Sequence, residues 1–257
     1  MVGTVPVGSG RHELLLYRNM KNIVAIDPSL ISTALVVSSG DTFKIYNYCR
    51  ESKVFGKKGI TKWFKSAEQY VTYKFIEYRE FEEYSEGELV KLKDYDLITD
   101  EIINDILANI DPTKETKIGI EGYNFGAQVG DLIDLVTFST LLRKKLFDRV
   151  SEDITVLSPS TLKLEACKLT YKPTIKEIGG KKARFEYIWR NNMGIPGGKF
   201  TKTEIFRSIV ENEKNKDFWT KHCIEIKDDI LPMSTTPKPY EDLCDSYIIY
   251  QYLLNLS

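Results

Sequence analysis

Histidine is nearly absent. His12 and His222 are the only two in 257 residues, too few for a histidine-built metal centre or for any chemistry resting on several imidazoles. Cysteine is scarce as well: Cys49, Cys167, Cys223 and Cys244 stand far apart, without CxxC or Cys/His ligand spacing. That pattern argues against a zinc site and a disulfide scaffold, and reads as reduced, buried thiols. No apolar run approaches the roughly 20 residues of a membrane span. The first residues, MVGTVPVGSGRHELLLYRNMKN, lack the basic segment and apolar core of a secretory signal. The expectation is therefore an intracellular protein in a reducing compartment, with no membrane partner. The GSGR near the amino terminus lacks the GKS or GKT of a phosphate loop and reads as flexible. Any chemistry falls to carboxylates and lysines.

What is present describes a globular chain, with 42% hydrophobic, 28% charged and 12% aromatic residues and enough length to bury a substantial core. The net charge of −1 conceals strong segregation. From Lys163 to Arg207 eleven basic residues meet four acidic ones, and from Phe43 to Lys74 eight meet two. Between Glu77 and Asp105 eleven acids meet three bases. Two basic stretches of this kind suit a phosphate-binding face, with the acidic stretch turned away from it; the plainer reading is solvated surface.

Four acids stand out by position. Asp27 ends the apolar run IVAID, Glu121 ends KIGIE, and Asp242 and Asp245 lie three apart in YEDLCDSYIIYQYLL. A carboxylate closing a buried strand is costly unless something positive meets it. Oxygen ligands from separate elements suit two divalent ions, Mg²⁺ or Mn²⁺, a pair able to drive phosphodiester hydrolysis. Each acid also has a structural reading. Asp27 precedes Pro28 and could cap a turn around Ser29, Glu121 precedes a glycine at a strand end, and Asp242 and Asp245 could form the solvated first turn of a helix, with Glu241 as an alternative ligand.

Along the chain, residues 22–27 and 33–37 read as strands joined by Pro28-Ser29-Leu30, with Lys44–Tyr48 as a third. Residues 51 to about 95 form a charged, aromatic excursion without clean period. Asp100–Ile110 reads as an amphipathic helix stopped at Asp111-Pro112, feeding the strand IGIE. Residues 131–147 are apolar around much of a helix, which calls for cover by the sheet and by a second subunit. ITVL, a short helix over 161–169, a glycine- and proline-marked loop over 171–200 and a final helix over Glu241–Leu254 complete the order. Strand meander, helix, strand, helix, strand, helix and final helix is the order of the α/β ribonuclease H-like fold. The expectation is a mixed five-stranded sheet flanked by helices, with residues 1–21 as an amino-terminal extension and 22–257 as one domain carrying insertions at about 50–95 and 171–198.

AIDPS, IEGYNF, SPSTLK, GGKFTKTEIF and EDLCDS, in that order, resemble the RuvC family of Holliday-junction resolvases, particularly divergent phage or large-virus members. The resemblance implies a metal-dependent endonuclease that resolves four-way or branched DNA by symmetric cutting as a homodimer, in the cytoplasm or at a viral replication site. It implies Asp27, Glu121, Asp242 and Asp245 as metal-binding catalytic carboxylates for two Mg²⁺ or Mn²⁺ ions. Lys163 and Lys202 match the two lysines that the family holds near the scissile phosphate, Lys202 as a catalytic residue and Lys199 as its neighbour. The expected reaction is in-line attack of water, expelling the 3′ oxygen and leaving a 5′ phosphate. Where the family often has a wedging aromatic, this chain has Asn124 between Tyr123 and Phe125, so either ring could stack on a base or belong to the core. The lengthened loop brings Lys181, Lys182 and Arg184 as further DNA contacts. Competing readings are a viral terminase-type or RNA–DNA hybrid nuclease on the same fold, a sugar-kinase or actin-like ATPase, and a junction-binding module without catalysis. The ATPases duplicate the fold, whereas this chain holds one Asp-ended meander.

Overall fold

The computed structural model describes residues 21–51, 55–56, 59–79, 81–123, 129–170, 174–176, 184–186, 201–212 and 217–256, with the backbone alone for 55–56, 59–60, 129–131, 170, 174–176 and 184–186. In chain order these form β1 (Lys21–Asp27), β2 (Ser32–Ser39) and β3 (Thr42–Arg50), then the short β4 (Phe55–Gly56) and β5 (Gly59–Ile60), helix α1 (Lys62–Ala67) and strand β6 (Thr72–Ile76). There follow α2 (Tyr84–Leu107), β7 (Glu115–Glu121), α3 (Val129–Arg149), β8 (Ile154–Leu157), α4 (Pro159–Thr170), β9 (Thr174–Lys176) and β10 (Arg184–Glu186). Helices α5 (Lys202–Val210), α6 (Phe218–Glu225), α7 (Lys227–Ile230) and α8 (Tyr240–Leu254) close the chain.

The main sheet runs β6-β3-β2-β1-β7-β8. β1, β2 and β3 form an antiparallel meander, while β7 lies parallel to β1, β8 parallel to β7 and β6 parallel to β3. This is the mixed α/β ribonuclease H-like arrangement that the element order implied, with one correction: six strands rather than five. The extra strand, β6, comes from the excursion after β3 and sits on the sheet edge, mostly exposed or half-buried. An edge strand buries too little of either face to impose a clear hydrophobic alternation, so only its pairing with β3 reveals it.

Both faces of the sheet are covered. In β1, Ile23 and Ala25 point to the core beneath α4, α5, α6 and α8, and Val24 and Ile26 point to the core beneath α2 and α3. Successive side chains alternate across a strand, so Asp27 follows Ile23 and Ala25 to the α8 side. The same parity carries Glu121 there through Gly119, and Gly119 explains how α8 comes so close: a Cβ on it would meet Ile249 Cγ2 at 2.5 Å.

Helix α2 begins well before the apolar period becomes legible at Asp100. Its first half buries Asp94 as well as Tyr95; Arg79 Nε donates to Asp94 Oδ1 at 2.7 Å and Tyr95 packs edge-on against Tyr78 and Phe138, so an ion pair and one aromatic side chain, rather than a periodic apolar stripe, hold that part down. Among the described residues no helix is long and apolar enough to cross a membrane.

Candidate metal centre

β1 and β7 are parallel neighbours, with Ile26 opposite Ile120, so their next residues, Asp27 and Glu121, end adjacent strands about 4.8 Å apart. α8 crosses this edge and inserts Asp245. One carboxylate oxygen from each of Asp27, Glu121 and Asp245 lies within 4.8 Å of the other two. Asp27 and Asp245 are buried and Glu121 is half-buried. The Arg143 Nη2 of α3 donates to the Glu121 carbonyl at 3.2 Å, fixing the strand end that carries the acid.

Such crowding is written in the protonation of the cluster. Burial, then the neighbouring Glu121 and the Asp245 and Asp242 charges, drive the Asp27 carboxyl well above the usual carboxylate range. Asp245 is pushed up to about 7, mainly by burial, against the opposing Lys202 and with Glu121 and Asp242 adding to the rise. Lys202 Nζ donates to Asp245 Oδ2. Burial works against its charge, yet Asp245 and Asp27 outweigh that and raise its pKa. A capping box places this lysine: Thr201 N donates to Glu204 Oε2 at 2.6 Å, opening α5 at Lys202.

Do these residues fit divalent cations? Three acids face one ammonium group, and Asp245 Oδ1 is buried without a hydrogen-bond partner among the described residues. An orphaned carboxylate oxygen beside two further carboxylates is a donor set of hard oxygens, suited to Mg²⁺ or Mn²⁺. The residues fit.

Two solved structures align along most of the chain. One is Thermus thermophilus RuvC in complex with a Holliday junction substrate, at 9% identity and a TM-score of 0.37, covering 90% of this chain and 90% of that one. The other is the yeast mitochondrial Holliday junction resolvase Ydc2, at 10% identity and a TM-score of 0.39, covering 98% of this chain and 90% of that one. No protein-family model and no curated protein sequence matches. With likeness at this level, the fold assignment rests on the strand order and register of the sheet itself.

The remaining expected residues divide. Asp242, one turn before Asp245, is 4% exposed and acts electrostatically on Asp27, but lies outside the tight trio. Its Oδ1 accepts from Lys238 Nζ, which also lies 3.4 Å from Glu241 Oε2. Burial raises the Asp242 pKa, with Lys238 opposing. Lys163 lines the same cleft as Asp27, Glu121, Asp242 and Lys202, a cavity of about 1260 Å³ along the carboxyl edge of the sheet. Tyr123 is half-buried, with the Arg143 guanidinium 4.4 Å from its ring centroid and its hydroxyl 3.2 Å from Thr140 Oγ1, so at least one face of the ring is in use. Phe125, Lys181, Lys182 and Lys199 lie outside the described residues, as does the Arg184 side chain. The acidic stretch does not turn wholly away, because Glu77 and Asp94 line the same cleft. Sequence reasoning missed Lys238 and Arg143. The first stands four residues before Asp242, a spacing legible in KPYED, but Pro239 between them masked the helical relation.

Proposed function

We propose that this protein is a metal-dependent, structure-selective endonuclease that resolves four-way or branched DNA by paired phosphodiester hydrolysis. We read it as a divergent phage or large-virus member of the RuvC-like resolvases, with residues 22–257 as the nuclease domain and 1–21 as an extension. The observation that carries the reading is the convergence of Asp27, Glu121 and Asp245, from three distant chain segments, into one oxygen cluster beside Lys202. Nothing in the fold requires three acids, two of them buried, to meet; a cation-dependent reaction does. The choice of branched DNA rests on the ordered sequence motifs that resemble that family.

When bound, two divalent ions supply Lewis-acid stabilisation of the phosphoryl group and a water of lowered pKa. The protein's own part is positional. Asp27, Glu121 and Asp245 would hold the ions, with Asp242, whose Oδ2 is buried without a hydrogen-bond partner among the described residues, as the fourth carboxylate. Lys202 keeps a fixed positive charge beside the reacting phosphate, where negative charge grows as the 3′ oxygen leaves. Lys163, Lys199, Lys181, Lys182 and Arg184 contact the DNA backbone, and Tyr123 or Phe125 stacks at the branch. Symmetric cutting requires two sites, hence a homodimer. Exposed Ile133 and Phe147 on α3 support burial of that helix against a second copy.

Incubation of the purified protein with a synthetic four-way junction, a linear duplex and an RNA–DNA hybrid, with and without Mg²⁺, tests the reading. Paired, symmetric, Mg²⁺-dependent nicks in the junction alone are expected. Cutting of the hybrid or of linear duplex in preference would replace resolution by another ribonuclease H-like nuclease activity, and no cutting with any divalent ion would end the nuclease reading.

A further inference from the structure

Besides Lys202, the cleft over the acidic cluster holds four cationic side chains, Arg50, Arg79, Lys91 and Lys163. Arg79 is engaged by Asp94 and Lys91 by Glu88 and Asp134. Among the described residues Arg50 and Lys163 form no ion pair with a carboxylate. They stand on opposite sides of the metal cluster. Arg50 ends β3, two strands from β1 in one direction, and Lys163 follows β8, two strands away in the other. The register sets Asp27 level with Ala34 and Ala34 level with Asn47, so Arg50 lies two strands across and three residues further out along the carboxyl edge, about 10 Å in each direction, a reach of a few nucleotides at roughly 3.4 Å of duplex axis each.

Arg50 is also held in place. Its backbone N–H donates to the Ile31 carbonyl at 3.0 Å, and its guanidinium carbon lies 3.9 Å from the centroid of the Tyr78 ring. The Tyr78 hydroxyl donates to the Leu30 carbonyl at 2.9 Å. Both anchors fall on the turn immediately after Asp27, so the pair is tied to the first metal-binding acid. Arg50 Nε is buried and has no hydrogen-bond partner among the described residues. Glu51 and Glu77, both exposed, line this end too without pairing with Arg50. A guanidinium held against an aromatic ring, with its charge unpaired by a carboxylate among the described residues, is preorganised for a phosphate.

We propose that Arg50, stacked on Tyr78, is the seat for a backbone phosphate flanking the cut, on the side of the cluster opposite Lys163, so that the substrate strand crosses the carboxyl edge of the sheet from one free cation to the other. The seat rests on the nuclease reading, and belongs to the β3–β6 segment rather than to any of the five motifs that resemble resolvases.

Binding of a labelled four-way junction, titrated with salt in the Asp27→Asn background so that DNA stays uncut, reads the contact. Arg50→Ala should weaken binding about tenfold and lower the slope of log K against log salt by about 1. Arg50→Lys should restore the slope with a smaller loss of affinity, because it keeps the charge without the planar stack. In the Asp27→Asn background with Arg50 retained, one neutral methylphosphonate within a few nucleotides of the cut should reduce affinity about tenfold, and the same substitution should cost Arg50→Ala nothing more. If Arg50→Ala fails to fold by its thermal melt, Arg50→Gln, which keeps the stem packed on Tyr78, is measured in its place. Unchanged slope in a folded variant that binds and a parent that cuts, or no methylphosphonate position that depends on Arg50, overturns the seat and leaves the nuclease reading standing. A parent that neither binds nor cuts DNA removes both.

Discussion

Two buried aspartates on opposite faces of the sheet have opposite fates. Asp94 of α2 has both oxygens occupied, Oδ1 by Arg79 Nε at 2.7 Å and Oδ2 by the Arg79 backbone N–H at 3.1 Å. Asp245 of α8 is fully buried, has one oxygen on Lys202 and the other without a hydrogen-bond partner among the described residues, and faces two more carboxylates. The first pair is closed: charge meets charge and each oxygen has a donor. The second is short of positive charge by design of the packing. Burial of an acid alone therefore says little about function, and unmatched charge says a great deal.

Removing one member from each region should separate them most sharply. Asp27→Asn is expected to reduce junction cutting by at least about 10³-fold while sparing junction binding in a gel-shift assay. Because it relieves repulsion among buried acids, its metal-free Tm should be equal to or above that of the wild type. A variant that cuts at the normal rate would break the comparison. Asp94→Asn should do the reverse, lowering stability by about 2 kcal/mol in a urea melt, since Arg79 loses its charged partner, while folded protein keeps its cutting rate.

A smaller effect lies in pH. Asp245, with its pKa pushed up to about 7, binds a proton in the folded protein over a range where the unfolded chain has released it. Its contribution to stability is thus present in acid and falls as pH rises from about 4 through about 7. The metal-free Tm of the wild type should accordingly decline relative to that of Asp245→Asn across this range, and saturating Mg²⁺ should offset the decline by binding the deprotonated form. Parallel pH profiles of the two proteins would refute the assignment. Smallest of all is Lys238→Gln. It removes the cation that opposes the burial-driven rise of Asp242, so the Asp242 pKa should climb and the pH midpoint of cutting should move upward. Its stability effect should stay below about 1 kcal/mol, because the lysine side chain is 43% exposed.

Strand ends were the legible part of this site. Asp27 and Glu121 each close an apolar run, and that pattern alone marks the carboxyl edge of a buried sheet. Asp242 and Asp245 were visible as a helical pair, but their spacing is silent on which would reach the strands; the packing of α8 over Gly119 chose Asp245 for the tight trio. Arg50 and Tyr78 were not legible as a pair at all. They lie far apart in a stretch without period, and meet because β6 adds to the edge of β3.

Local rules thus placed most of the strands and helices and marked the acids that would need positive company. They act through neighbours a few residues apart, where periodicity and turn chemistry suffice. Which acids share an oxygen cluster and which lysines answer them were decided only when β7 paired beside β1 and α8 closed over both. Those contacts span most of the chain, and no spacing in a linear sequence encodes an angle between two packed elements.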